Sequence, residues 1–345
     1  MSPPPRADEV GRRLRARAGW HPLELLFWAA AMASIFALPG RHLILTEIAI
    51  LGLFALSLDL ILGYAGIVSL GHAAFFGCGA YAAGLIAKHG IITEPLLALI
   101  VSGLAAMLLG FVTSFLVLRG SDLTRIMVTL GVALVLREIA NRYAWLTGGA
   151  DGLQGIEIKP LLGLYRFDMF GHTAYVYALG VLVVLFLLAR RIVYSPFGLS
   201  LQSIKGNPLR AAAVGIPVNG RLIAIYAIAA GYAGVAGALL TQTTAFTSLS
   251  VLDFERSADL LLVLIIGGTG YLYGGLIGAI LFKLMQDYLA ALTPQYWPFW
   301  IGLLLVAIVL IGRERITAWI RPMRALVARL DRQGRGGDAV RVEGR

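Results

Sequence analysis

The sequence predicts an all-α polytopic membrane protein of about ten transmembrane helices, each needing roughly 20 apolar residues. Three observations carry that prediction. The 345 residues are 59% hydrophobic and only 14% charged, where a soluble protein carries about 25% charged residues. Long Leu-, Ala- and Ile-rich blocks recur along almost the whole chain, without the roughly ten-residue alternation of a β-barrel. The basic residues gather at the two ends and in short connections between blocks, as the positive-inside rule requires. The net charge of +10 therefore reports membrane topology, and nucleic-acid binding is not expected. The mean hydropathy of +0.81 agrees. The one cysteine, Cys78, sits among small residues of an apolar block. It has no partner for an internal disulfide and reads as a packing residue.

Residues 1–20 carry Arg6, Arg12, Arg13, Arg15 and Arg17 and read as a basic cytoplasmic tail. The transmembrane domain is expected over 21–312. Its first block, 23–38, resembles a signal-peptide core but is followed at once by further spans, with no A-x-A cleavage site. An uncleaved first helix is expected. Apolar blocks follow at 43–62, 66–87, 95–118, 123–146, 173–189, 221–246, 257–267, 271–292 and 297–312, and a basic tail over 313–345. With the N-terminus inside and sides alternating, Arg119, Arg125, Arg190, Arg191, Lys205, Arg210 and Arg313 all fall inside. This places both termini in the cytoplasm and the loop 147–172 outside.

The stretch Asp59–Lys88, DLILGYAGIVSLGHAAFFGCGAYAAGLIAK, is the least like a lipid anchor. Glycines punctuate it, and Asp59, Tyr64, Ser69 and His72 add polar groups at membrane depth. Such groups face protein or a water-filled path, and such glycines permit close packing or an unwound turn. A broken helix beside a translocation route is expected here, with Tyr64, Gly66, Ser69, Gly71 and His72 as candidate lining residues. LGYAG (62–66) has a loose echo in IGGTG (266–270), each dividing apolar blocks. Matched breaks of this kind mark internal repeats in transporters. The echo adds Gly267, Gly268 and Thr269 to the candidate pathway and leaves open whether the repeat is inverted or parallel.

Two connections exceed simple turns. The outer loop 147–172 reads equally well as a cover or as a docking surface for a partner. The inner connection 190–221 contains a helical core at 209–214, bounded by Pro208, Gly215 and Pro217. Asn207-Pro208 suits a helix start and Gly215 its stop. A short helix held across the cytoplasmic face between breaks is a lever against a soluble partner, or else a plain interfacial helix.

Catalytic chemistry finds little support. None of the four lysines follows glycine as G-K-[ST] requires, so any ATP-driven work needs another subunit. Neither H-E-x-x-H nor C-x-x-C occurs, which removes the common zinc motifs. Ser69 lies in GIVSLG rather than in a G-x-S-x-G nucleophile turn. His72 is expected to bond a backbone carbonyl freed at the helix break, or to contact substrate. Asp59 is expected to be satisfied by water or by Arg119. Arg137 with Glu138, and Lys283 with Asp287, are expected to pair locally along their helices.

LGYAGIVSLGHAAFFGCGAYAAGLI (62–86) resembles the signature of the LivM/LivH permeases of branched-chain amino acid ABC importers. LTGGADGLQGI (146–156), the stretch 195–237 and LIIGGTGYLYGGLIGA (264–279) are similar to LivM-type sequences, in the same order over residues 45–312. The resemblance implies a non-catalytic permease subunit of a bacterial inner membrane, forming half of the pathway for branched-chain or other hydrophobic amino acids. It implies a second homologous permease, two cytoplasmic ABC ATPases that bind ATP and Mg, and a periplasmic substrate-binding protein, with no cofactor in this chain. It makes the inner element the coupling helix, with Asn207, Pro208, Arg210, Ala211, Ala212 and Gly215 as coupling residues. The chain departs from the pattern at Ser121, Asp122 and Arg125, where relatives are apolar, and at Gly206–Pro208, where they carry acidic residues. The same family serves urea, amides and aromatic acids. A stand-alone secondary transporter or channel is the reading that needs no partners.

Overall fold

The structure, a computed structural model, describes residues 22–303 except 162, 169 and 297, together with residue 306. The expected tails (1–20 and 313–345) and most of the last expected span lie outside the described residues. By its contacts the chain forms two units, Met1–Lys283 and Leu284–Arg345. In the second, α-helix continues to Leu292 and resumes at 298–303 after a turn.

The helices of eight or more residues appear where the apolar blocks predict them, with one addition and one exception. They are α1 (Pro22–Ala37), α2 (His42–Leu62), α3 (Ala73–Lys88), α4 (Pro95–Val117) and α5 (Asp122–Arg142), followed by α6 (His172–Val193) and α7 (Pro196–Gly206). After the short helix α8 (Pro208–Ala213) come α9 (Val218–Thr244), α10 (Phe254–Gly267) and α11 (Leu272–Leu292). The addition is α7, in a connection where only a helical core at 209–214 was expected. The exception is α3, which starts at Ala73 rather than near residue 66, because the break before it runs to His72. Among the described residues α2, α4, α6, α9 and α11 are long and apolar enough to cross a membrane. α1 and α3 are apolar but shorter, and α5 and α10 are lowered by residues such as Arg125, Arg137, Arg256 and Asp259.

α9 forms the centre and packs on α4, α3 and α2. Its small residues make this approach possible, since helices in lipid associate by close backbone packing rather than by a hydrophobic drive. A Cβ on Gly237 would lie 1.8 Å from the Phe76 carbonyl oxygen. Buried polar side chains then join the helices. Tyr177 donates to Gln242 Oε1 at 2.8 Å, while Gln242 Nε2 donates to the Pro95 carbonyl at 2.8 Å. α1 exposes most of its surface and is clipped to α6 at both ends. Glu24 pairs with Arg190, and the Ser34 and Tyr175 hydroxyls share a 2.7 Å hydrogen bond.

These bonds report how several of the helices run relative to one another. The start of α4 meets the end of α9, Arg137 near the end of α5 reaches Asp253 before α10, and Leu153 forms an antiparallel bridge with Thr247. The helices therefore alternate up and down. The breaks 63–72 and 268–271 and the connection 194–217 begin at one end of the bundle. The loop 143–171 lies at the other.

Candidate functional site

The first break begins where α2 runs out of helical partners. Gly63 N–H still donates to the Asp59 carbonyl at 2.7 Å, and Ile67 N–H reaches back to the Ile61 carbonyl at 2.9 Å. The chain then climbs back along α2 before α3 starts. His72 meets Ser57 Oγ at 2.8 Å, and Ser57 stands about 7–8 Å along the axis from the end of α2 at 1.5 Å per residue. The climb is held by neighbours. Leu70 N–H donates to Thr129 Oγ1 at 3.3 Å. Ala73 N–H donates to Ser257 Oγ at 2.9 Å, filling one of the vacant donors at the start of α3. Gly71 is obligatory here, because a Cβ would sit 1.9 Å from the Thr129 carbonyl oxygen.

His72 does not bond a freed carbonyl, contrary to the expectation. It is fully buried, stacked on Phe54 at 5.7 Å and edge-on to Phe75, with Ser57 as its hydroxyl partner. The break folds back over α2 and brings His72 to that hydroxyl. Ser69 and Gly71 are likewise buried, Tyr64 is 6% exposed, and Gly66 is half-buried. These residues shape a closed, packed break.

The second break, Gly268–Tyr271, lies against the first. Gly270 N–H donates to Asp59 Oδ1 at 2.7 Å, a backbone partner beyond the water or Arg119 that the sequence suggested. Gly270 adopts φ +77, a conformation a side chain would strain. Gly267, Gly268 and Thr269 are half-buried. The two echoing glycine motifs, which the sequence placed only in matching positions, are thus in contact.

A third strand of chain joins them. Lys205, near the end of α7, donates from Nζ to the Gly63 carbonyl at 2.6 Å. The sequence marked Lys205 only as an inside charge. Two residues later Asn207 caps α8, its Oδ1 accepting from Arg210 N–H at 3.0 Å. Pro208 occupies the first turn, and Gly215 ends the element at φ +88. Ala211 is buried beneath α8, whereas Leu209 and Val214 stand 83% and 76% exposed. Arg210 and Ala212 are exposed as well. The cap and stop predicted from the sequence are therefore present, and apolar Leu209 and Val214 stand exposed together with the charged Arg210.

Two expected local charge pairs give way to pairs between elements. Arg137 binds Asp253 at 2.5 Å rather than Glu138. Lys283 binds Glu47 of α2 at 2.5 Å rather than Asp287. Arg137 and Glu138, adjacent in sequence, point apart on their helix, whereas Lys283 reaches across to α2 in place of its i+4 neighbour.

At the other end, the loop divides in two. Leu153 and Ile156 are buried, while Leu164 and Phe170 are 78% and 80% exposed. Asp168 closes the loop onto α6. Slight burial raises its carboxyl pKa, but the amides of Thr173 (2.9 Å) and His172 (3.3 Å) hold it below the ordinary 3.8. An apolar groove of about 840 Å³ between α4 and α6 carries no Asp, Glu, Lys or Arg, which suits acyl chains rather than a polar solute.

Comparisons with known proteins agree with this architecture. The family model described as "Branched-chain amino acid transport system / permease component" matches residues 41–311. The high-affinity branched-chain amino acid transport system permease protein LivM of Salmonella typhimurium is 26% identical over 302 residues, covering 79% of this chain and 69% of the relative. LivM of Escherichia coli is 24% identical over 299 residues with the same coverage. No solved structure matches. This is a family of transport permeases, not of enzymes. The chain belongs to the branched-chain amino acid transport system permease family.

Proposed function

We propose that the chain is one permease subunit of an ABC importer and forms half of the inner-membrane pathway for branched-chain or related hydrophobic amino acids. A second homologous permease completes the pathway. Two cytoplasmic ATPases bind ATP and Mg, and a periplasmic binding protein delivers substrate. In this reading the chain crosses the membrane about ten times with both termini in the cytoplasm, shorter helices spanning as broken or tilted elements. The glycine breaks, with Tyr64, Gly66, Ser69, Gly71, His72 and Gly267–Thr269, border the inner part of the route. Irregular backbone is tolerated at that depth only against protein or a water-filled cavity.

One observation carries the drive mechanism. The element with Asn207, Pro208, Arg210, Ala211, Ala212 and Gly215 follows directly on Lys205, which holds the first break, and Asp59 ties that break to the second. A push on α8 therefore has a short covalent and hydrogen-bonded route to both breaks. Exposed Leu209 and Val214 offer the ATPase an apolar contact. Exposed Leu164 and Phe170 offer one to the binding protein at the opposite end.

The test is leucine uptake by vesicles containing the chain with its partner subunits. Uptake is expected to require ATP and the ATPase subunits. Uptake that persists on an ion gradient, in vesicles lacking any ATPase, would replace this reading with a secondary transporter.

A further inference from the structure

The Glu47–Lys283 pair stands where a purely structural ion pair is hard to justify. Its side chains are 52% and 22% exposed, yet both belong to helices long and apolar enough to cross a membrane. At 1.5 Å per residue, Glu47 lies about 7 Å from the start of α2 and Lys283 about 13 Å from the end of α11. The pair sits one turn beyond the point where Gly52 of α2 meets Leu276 and Ala279 of α11. Asp259, near the start of α10, is half-buried and feels the charge of Lys283 and of Arg256. Three helices thus bring charges of both signs to the outer half of the bundle.

Facing acyl chains, a charge costs about 2.5–3.5 kcal/mol at the centre of a spanning helix and less toward its ends. α2 is buried continuously from Gly52 to Ile61 and fully exposes only Leu43 and Glu47 of its length. Its exposed charge therefore marks a face turned away from lipid, toward a water-filled path or a polar partner. A path for a zwitterion gives the pair a use that a partner contact does not. Its two charges have the same signs as the two ends of an amino acid, with polarity matched for exchange.

We propose that Glu47 and Lys283 form a way-station for the substrate, opening so that Glu47 receives the ammonium group and Lys283 the carboxylate. The assignment rests on the permease reading and names the residues that hold the substrate's polar end. Replacing one ion pair by two of the same kind keeps every charge compensated, so the substrate enters and leaves without stranding a buried charge. Exposed Leu43, Ile277 and Leu281 on the same two helices offer apolar surface to the substrate's side chain. A solute with only one of the two charges leaves half of the station unpaired. Binding of this kind is weak enough for release, as conduction through a multi-site path requires.

The experiment is ATP-driven leucine uptake by the complete complex in vesicles, with thermal stability and ATP hydrolysis measured on the same preparations. Glu47→Gln and Lys283→Gln are each expected to lower uptake about tenfold or more, a loss of one charge contact. The double variant Glu47→Lys with Lys283→Glu re-forms the bridge with reversed polarity. It is expected to recover stability without recovering uptake. Uptake restored by that exchange, or unchanged in either single variant, shows that the pair only clips two helices and overturns the assignment. A wild-type complex that takes up no leucine overturns it together with the amino acid reading, and is recognised because the unmodified protein is itself silent.

Discussion

Asp59 illustrates how much one side chain settles. Its carboxylate is fully buried and accepts the amide of Gly270, so it fastens two breaks that are 211 residues apart in sequence. Asp59→Ala leaves that amide without its acceptor, an expected loss of about 1–3 kcal/mol. Asp59→Asn keeps an oxygen at the same place and is expected to lose less. Thermal unfolding in detergent separates them, and equal stability of the two variants would contradict the bond's importance. The sequence singled out Asp59 and His72 because polar groups at membrane depth need partners. It could not supply those partners. Gly270 offers a backbone amide, which every residue but proline has, and Ser57 faces His72 only because the break folds back over α2. For Lys283 and Arg137, proximity along the helix misled, since the partners Glu47 and Asp253 arrive from other elements.

At the scale of elements, hydropathy located the described helices to within a few residues, α3 with its late start excepted, and turn chemistry located α8. Asn207, Pro208 and Gly215 perform the cap, first-turn and stop roles that their side chains suit. α7 escaped notice because it is short, amphipathic and flanked by basic residues, so no long apolar run announces it. Packing between helices was the least legible feature. In lipid it depends on small residues meeting small residues, and any glycine in a span reads alike until its neighbour is known. Gly237 and Gly180 make the contrast. A Cβ at Gly237 would lie 1.8 Å from a carbonyl oxygen, whereas one at Gly180 meets nothing within 4 Å. Gly237→Ala is expected to destabilise by several kcal/mol through backbone displacement. Gly180→Ala is expected to be neutral or stabilising by up to about 1 kcal/mol through helix propensity. Melting temperatures of the two variants in the same detergent decide this, and a stable Gly237→Ala protein would refute the close α3–α9 approach.

For the whole molecule, the order of the described helices, the largely apolar interior and the gathering of connections at two ends were legible from composition and charge. What the structure adds is a junction. α2, α7, α10 and α11 meet around Gly63, through Asp59, Gly270 and Lys205. Only folding brings these parts together, since the linked residues come from three distant stretches of chain. The junction stands between α8 and the two breaks, and in the proposed importer it is where ATP-driven movement would enter the membrane. The direct test is the number of leucine molecules moved per ATP hydrolysed, in vesicles containing the full importer. With Lys205→Met, which keeps the stem but cannot donate to the Gly63 carbonyl, the complex is expected to assemble and hydrolyse ATP. Leucine moved per ATP should then fall about tenfold, within the range of coupling energies of 1–3 kcal/mol. A Lys205→Met importer with the wild-type ratio would contradict the account.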